Sequence, residues 1–171
     1  LPGAPSLISR CEAGSVNDVK SSNSNQRAEA HCGSVHARGM ELALEQARKA
    51  YSLGEVPVGA VILKDGIVIG KGHNLKETLK DPTAHAEIQA IREAARHEAG
   101  WRILGATMYV TLEPCPMCAG AIVMARISRL VVGTLDPRTG ACGSLWNITG
   151  DKRLNHRVEV TVGIKEDECR G

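Results

Sequence analysis

The sequence is poor in aromatic residues: two Trp, two Tyr and no Phe among 171. That argues against a binding surface built from stacked aromatic rings. It also leaves the core to Ile, Leu, Val, Ala and Met. Long apolar runs are missing too, and no segment approaches the ~20 residues needed to span a bilayer. The first residues lack the basic start and apolar block of a secretory signal. No charge sign dominates, since 21 basic and 19 acidic side chains give a net +2. So balanced a total neither identifies nor excludes a nucleic-acid partner, because a local patch can hide in it. Closely spaced cysteines are scarce: of six, only Cys115 and Cys118 are near one another. A chain of this length builds a core without disulfide staples. The pattern therefore favours a reducing compartment and a metal.

What is present divides in two. Residues 1–39 are rich in Ser, Gly, Asn and Ala without sustained periodicity, so they are expected to be disordered or a non-native extension. A transit peptide is disfavoured by Glu12, Asp18 and Glu29. Methionine first occurs at Met40, where a folded domain spanning 40–171 is expected to begin. Met40, Ala43, Leu44, Ala47 and Tyr51 recur at helical spacing and predict a helix to about Ser52. Val56 to Leu63 and Ile67 to Gly70 flank Asp65-Gly66, a strong hairpin signal. The near-continuous apolarity of the first strand predicts helices on both faces of its sheet. A polar loop follows from Gly70 to Asn74. Asp81 or Thr83 is expected to cap a helix from about Ala84 to His97, with Ile88, Ile91, Ala94 and Ala95 as its apolar face. A strand at Thr107–Leu112, a helix opened by Pro116, a strand at Ile127–Gly133, a long loop and an edge strand at Arg157–Val162 complete the order. Strands and helices in this sequence predict an α/β sandwich around a mixed sheet.

Two stretches carry chemistry: Asp81-Pro82-Thr83-Ala84-His85-Ala86-Glu87 and Glu113-Pro114-Cys115-Pro116-Met117-Cys118. Cys115 and Cys118 lie three apart where a helix starts, so they share a face. Thiols at a helix N-terminus ionise readily and bind metals well. A catalytic zinc takes three protein ligands and keeps a fourth position for water; His85 supplies the third. Glu87 follows His85 by two, a spacing that does not put both on one helix face. It is suited instead to take a proton from the water beside the metal. Each part has a plainer reading. Cys-Pro-Met-Cys alone also fits a redox dithiol or half of a structural zinc site. His85 alone fits a helix-end histidine, and Glu87 alone a first-turn acid favoured by the helix dipole. The conjunction of His-x-Glu with Pro-Cys-x-x-Cys is far more specific than its parts.

At these residues the sequence resembles the zinc-dependent cytidine deaminase superfamily. Val56-Pro57-Val58-Gly59-Ala60, the two stretches above, Asp136-Pro137-Arg138-Thr139-Gly140 and Asn155-His156-Arg157-Val158-Glu159 look like the bacterial tRNA-specific adenosine deaminases. The resemblance runs from about Met40 to Cys169. It implies a three-layer α/β/α sandwich on a mixed five-stranded sheet, a homodimer, and conversion of adenosine to inosine at the wobble position of a tRNA anticodon. It implies one zinc per subunit on His85, Cys115 and Cys118, with Glu87 as the catalytic proton carrier. Asn74 matches a position that hydrogen-bonds the target base, and Asp136 and Asn155 match positions near the RNA backbone. Asp136 before Pro137 is also an ordinary turn residue, and Asn155 also suits a cap. Lys71, Lys76, Lys80, Lys152, Arg153 and Arg157 are available for phosphate contact, although solvated charge explains any one of them. Family chains continue past the Glu168-Cys169 position into a terminal helix that helps hold RNA. This sequence stops at Gly171, so a domain without that helix is expected. The location implied is cytoplasmic, or organellar if residues 1–39 are a transit peptide. The competing enzyme reading is a zinc deaminase of a free base or nucleoside such as guanine, cytosine or cytidine.

Overall fold

The computed structural model describes residues 35–171 in full, and residues 8–10 and 23–34 as strand and helix backbone. The elements in chain order are β1 (Ile8–Arg10), α1 (Asn23–Ser52), β2 (Gly59–Lys64), β3 (Ile67–His73), α2 (Lys76–Leu79), α3 (Ala86–His97), β4 (Thr107–Leu112), α4 (Pro116–Met124), β5 (Arg129–Thr134), β6 (Glu159–Val162) and α5 (Glu166–Arg170). The sheet order is β1-β6-β5-β4-β2-β3. β2 runs antiparallel to both β3 and β4, whereas β4, β5 and β6 are mutually parallel. The expected five-stranded mixed sheet is β2 to β6, and β1 adds a short parallel edge strand beside β6.

Residues 1–39, expected to be disordered or a non-native extension, contain β1 and the first part of α1. Residues 1–7 and 11–22 lie outside the described residues. α1 begins at Asn23 rather than near Met40 because extending an existing helix requires no new nucleus. The intervening Gln26, Arg27, Ala28, Glu29 and Ala30 are good helix formers.

Period-two alternation sends the sheet's side chains into two cores. Val61, Tyr109 and Val131 meet Met40, Ala43 and Leu44 of α1 on one face. Ala60, Ile62, Met108, Val110, Leu130 and Val132 meet α3 and α4 on the other. Three layers result, as expected. Each fully buried aliphatic side chain contributes about 1.5–3 kcal/mol. Tyr109 is the buried aromatic; Tyr51, Trp101 and Trp146 are all exposed. Tyr51 therefore does not belong to the apolar face of α1, whose stripe continues through Ala47 to Ala50 instead.

The hairpin forms at Asp65-Gly66, both at positive φ (50° and 78°), the geometry of a two-residue hairpin turn. The expected apolar face of α3 is shifted. Ala86, Ala90 and Ala94 are fully buried, while Ile88, Ile91 and Ala95 are half-buried. The reason lies in β3. A Cβ at Gly70 or Gly72 would press well inside contact distance of the Ala90 or Ala86 carbonyl. Glycines on the strand and alanines on the helix let the two backbones approach closely, which fixes where α3 begins.

Candidate active site

The pocket opens at the C-terminal end of β4, next to the place where the sheet changes from parallel to antiparallel pairing. Crevices at such switch points are common ligand sites in α/β sheets. About 500 Å³ of empty space lies within it and at its open mouth. Its walls come from the chain before β2 (Val56, Val58), the exit of β3 (Asn74), the start of α3 (His85, Ala86, Glu87), the end of β4 (Leu112, Glu113, Cys115) and the following loop (Asp136, Thr139). Lys76 also lines it.

The candidate metal ligands sit at helix starts. His85 is the N-cap of α3 and Cys115 the N-cap of α4, both with extended backbone, and neither makes a side-chain capping bond. Cys118 lies in the first turn of α4, after Pro116, whose missing N–H costs a helix start nothing. Asp81 and Thr83 do not cap α3: the Asp81 carboxylate accepts hydrogen bonds from the Thr83 amide (2.8 Å) and hydroxyl (2.7 Å), closing the turn that delivers His85.

His85 Nδ1 lies 3.7 Å from Cys115 Sγ and 3.5 Å from Cys118 Sγ. Zinc bonds of about 2.0–2.3 Å in tetrahedral geometry give ligand–ligand edges of roughly 3.4–3.8 Å. The three donors also lie within 4.8 Å of one another. The proton balance agrees with this geometry. Cys115 is pushed down to about 4, chiefly because the Cys118 thiol donates to it; burial opposes this and His85 assists. Cys118 is driven the other way by the same hydrogen bond and by burial. A cation between the two sulfurs is what would favour the ionised form of both. The residues therefore fit zinc in chemistry as well as spacing.

Glu87 is buried in the first turn of α3. Burial raises its pKa, with the neighbouring His85 acting in the opposite direction. A carboxyl whose pKa burial raises is suited to proton transfer.

Asn74 is buried and lines the pocket; its amide nitrogen Nδ2 donates to Glu55 Oε2 at 3.4 Å. Asp136 also lines the pocket, but its carboxylate is engaged within its own turn by the Arg138 amide (2.8 Å) and Thr139 hydroxyl (2.6 Å). Asn155 is not brought to the pocket. It is exposed, and its Oδ1 accepts a 2.6 Å bond from Arg126.

Two residues escaped sequence reasoning. Glu113 is buried, and its carboxylate accepts from the amides of Asp136 (3.0 Å), Cys142 (2.9 Å) and Ser144 (3.1 Å) and from the Ser144 hydroxyl. It thereby docks the loop after β5 against the pocket. Glu55 is buried on the opposite side and organises the start of α2. The available signal was an acid embedded in an apolar run, Glu55 before Val56-Pro57-Val58 and Glu113 directly after β4.

Residues 34–134 match the family described as the cytidine and deoxycytidylate deaminase zinc-binding region. The tRNA-specific adenosine deaminase of Bacillus subtilis is 48% identical over 132 residues, covering 77% of this chain and 82% of that protein. The Haemophilus influenzae protein of the same name is 53% identical over 131 residues, 76% of each. A solved structure from a study of A-to-I editing by tRNA:A34 deaminases at the wobble position superposes with a TM-score of 0.75. It is 46% identical and covers 78% of this chain and 96% of that one. With the ligand spacing, the buried carboxylate beside it and the fold all in agreement, the chain belongs to the zinc-binding deaminases, in the family of tRNA-specific adenosine deaminases.

Proposed function

We propose that this protein hydrolyses adenosine to inosine at the wobble position of a tRNA anticodon, releasing ammonia. The observation that carries the reading is the buried Glu87 beside His85, Cys115 and Cys118, at the pocket. His85, Cys115 and Cys118 hold zinc, which when bound supplies an acidified water as nucleophile. Glu87 moves the protons: its carboxylate takes one from the attacking water and delivers it to N1 of the base, then takes the second from the hydroxyl formed at C6 and delivers it to the amino group, which leaves as ammonia. Leu112, Val56 and Val58 form the apolar walls, and Asn74 holds the base. Asp136 and Asn155 are assigned to the RNA backbone, with Lys76 near the pocket for phosphate. An anticodon loop suits such a site because its bases can be splayed out without melting a duplex.

The same reading includes a homodimer. On α4, Met117 and Met124 are exposed and the space beside Gly120 is open, so an apolar stripe lacks cover among the described residues. It also carries a cytoplasmic location and a deaminase unit spanning 40–171. Among the described residues, no helix is long and apolar enough to cross a membrane.

Incubation with total tRNA followed by sequencing for A-to-I changes tests the substrate. Inosine confined to anticodon wobble positions is expected. Ammonia from free guanine, cytosine or cytidine without any inosine in tRNA would replace this reading with a small-substrate deaminase.

A further inference from the structure

Asn74 faces the pocket, but an asparagine amide has two ends of nearly equal shape. One is an acceptor and the other a donor, so a base held by the wrong end loses its bond. Something must set the orientation. Among the groups around Asn74, the buried carboxylate of Glu55 does so: Oε2 lies 3.4 Å from Asn74 Nδ2. An ionised carboxylate only accepts hydrogen bonds. The amide must therefore turn its nitrogen towards Glu55, leaving Oδ1 and one N–H for the pocket. Glu55 cannot swing to follow the opposite choice, because it is itself held. Oε1 accepts from the Thr78 amide at 2.7 Å and Oε2 from the Glu77 amide at 3.2 Å. Its own backbone amide is tied to the Ala50 carbonyl at the end of α1 (3.0 Å). Asn74 is fixed from the other side by its amide, which donates to the Val58 carbonyl at 3.0 Å. Asn74 and Glu55 are each only 4% exposed, so the bond between them is buried.

We propose that Glu55, which does not line the pocket, is a positioning residue for deamination: it fixes which end of the Asn74 amide meets the base. The oxygen and remaining N–H then form an adjacent acceptor and donor in a set order. Adenine offers a matching donor and acceptor at N6 and N7. Through Glu77 and Thr78 the same carboxylate also holds the start of α2, where Lys76 reaches the pocket wall.

This proposal rests on the reading of Asn74 as a base-binding residue, and a double-mutant cycle separates the two. Zinc-loaded wild type, Asn74→Ala, Glu55→Gln and the double variant are assayed for kcat and KM on an anticodon stem-loop, with zinc content and Tm recorded for each. Glutamine keeps the shape but can present its own N–H to Asn74 and so permits the reversed amide. Each single variant is expected to lower kcat/KM about tenfold or more, the range typical of contacting residues. In the Asn74→Ala background, Glu55→Gln should change kcat/KM by less than about twofold, with zinc content unchanged throughout. A purely structural Glu55 would cost the same factor in both backgrounds, and that result overturns the proposal. So does wild-type kcat/KM in Glu55→Gln. Wild-type kcat/KM in Asn74→Ala removes the reading of Asn74 itself, and the role of Glu55 falls with it. If Glu55→Gln unfolds at the assay temperature, Glu55→Asp goes through the same cycle. It keeps the charge, but its shorter side chain cannot span Asn74 and Thr78 together.

Discussion

At the scale of single residues, the site separates holding from moving. His85, Cys115 and Cys118 form a compact triangle that fits a metal, and Glu87 stands beside it, buried and with its pKa raised. Replacing Glu87 by Gln removes the carboxylate proposed to carry the proton and keeps its volume. Turnover is expected to fall about 10²–10⁴-fold, with zinc still bound at one per chain and an unchanged circular dichroism spectrum. Near wild-type turnover in that variant would assign proton transfer to another group. Glu113 and Glu55 illustrate a different use of the same side chain. Each is buried, yet each has its oxygens occupied by backbone or side-chain donors. A carboxylate satisfied in this way serves as a rigid strut, because removing it would leave the buried Cys142 amide or the buried Asn74 side-chain N–H without its partner.

At the scale of elements, close approach places the chemistry. α3 lies against β3 because Gly70 and Gly72 present no Cβ where the Ala90 and Ala86 carbonyls pass. Gly72→Ala is therefore expected to push the start of α3 outward and cost about 1–3 kcal/mol, as overpacking does, measured as a lower Tm. Because His85 caps α3, the same variant should also bind zinc more weakly. A Tm at or above wild type would show that the helix yields without penalty. Most elements were legible from local pattern. The Asp65-Gly66 turn, the strands on either side of it, and the helix opened by Pro116 each carry their own signal. The His-x-Glu and Cys-x-x-Cys stretches made the metal site legible because ligand chemistry constrains residue type. What escaped was set by partners distant in sequence. Ala94 is buried as expected, but the deeper burial of Ala86 and Ala90 than of Ile88 and Ile91 depends on glycines in another strand. The exposure of Tyr51 depends on how far α1 overlaps the sheet. The roles of Glu55 and Glu113 depend on loops that fold back to them, and no local period announces such contacts. The start of α1 at Asn23 was hidden by a composition that looks unpatterned.

At the scale of the whole molecule, the metal joins two parts of one layer. α3 and α4 both begin at the site, and His85 on one meets Cys115 and Cys118 on the other. A ligand that binds the folded form alone stabilises it in proportion to the logarithm of its excess, about 4 kcal/mol at a thousandfold excess over Kd. Zinc removal by a chelator should therefore abolish deamination and lower Tm by several degrees, and added zinc should restore both. Activity persisting in protein verified as zinc-free would contradict the assignment. The sheet's opposite face is sealed separately by α1, so the loss should be concentrated on the α3 and α4 side.

The scarcity of aromatic rings has one further consequence, in the optical behaviour of the molecule. Trp101 and Trp146 are both about half exposed, at 55% and 52%, while the buried ring belongs to Tyr109. The indoles thus already sit partly in water in the native state, and their emission reports loops and surface more than it reports the core. The interior between sheet and helices is nearly colourless in the near ultraviolet. Its melting is written in the backbone signal, and the light from Trp146 belongs to the loop that Glu113 ties to the pocket.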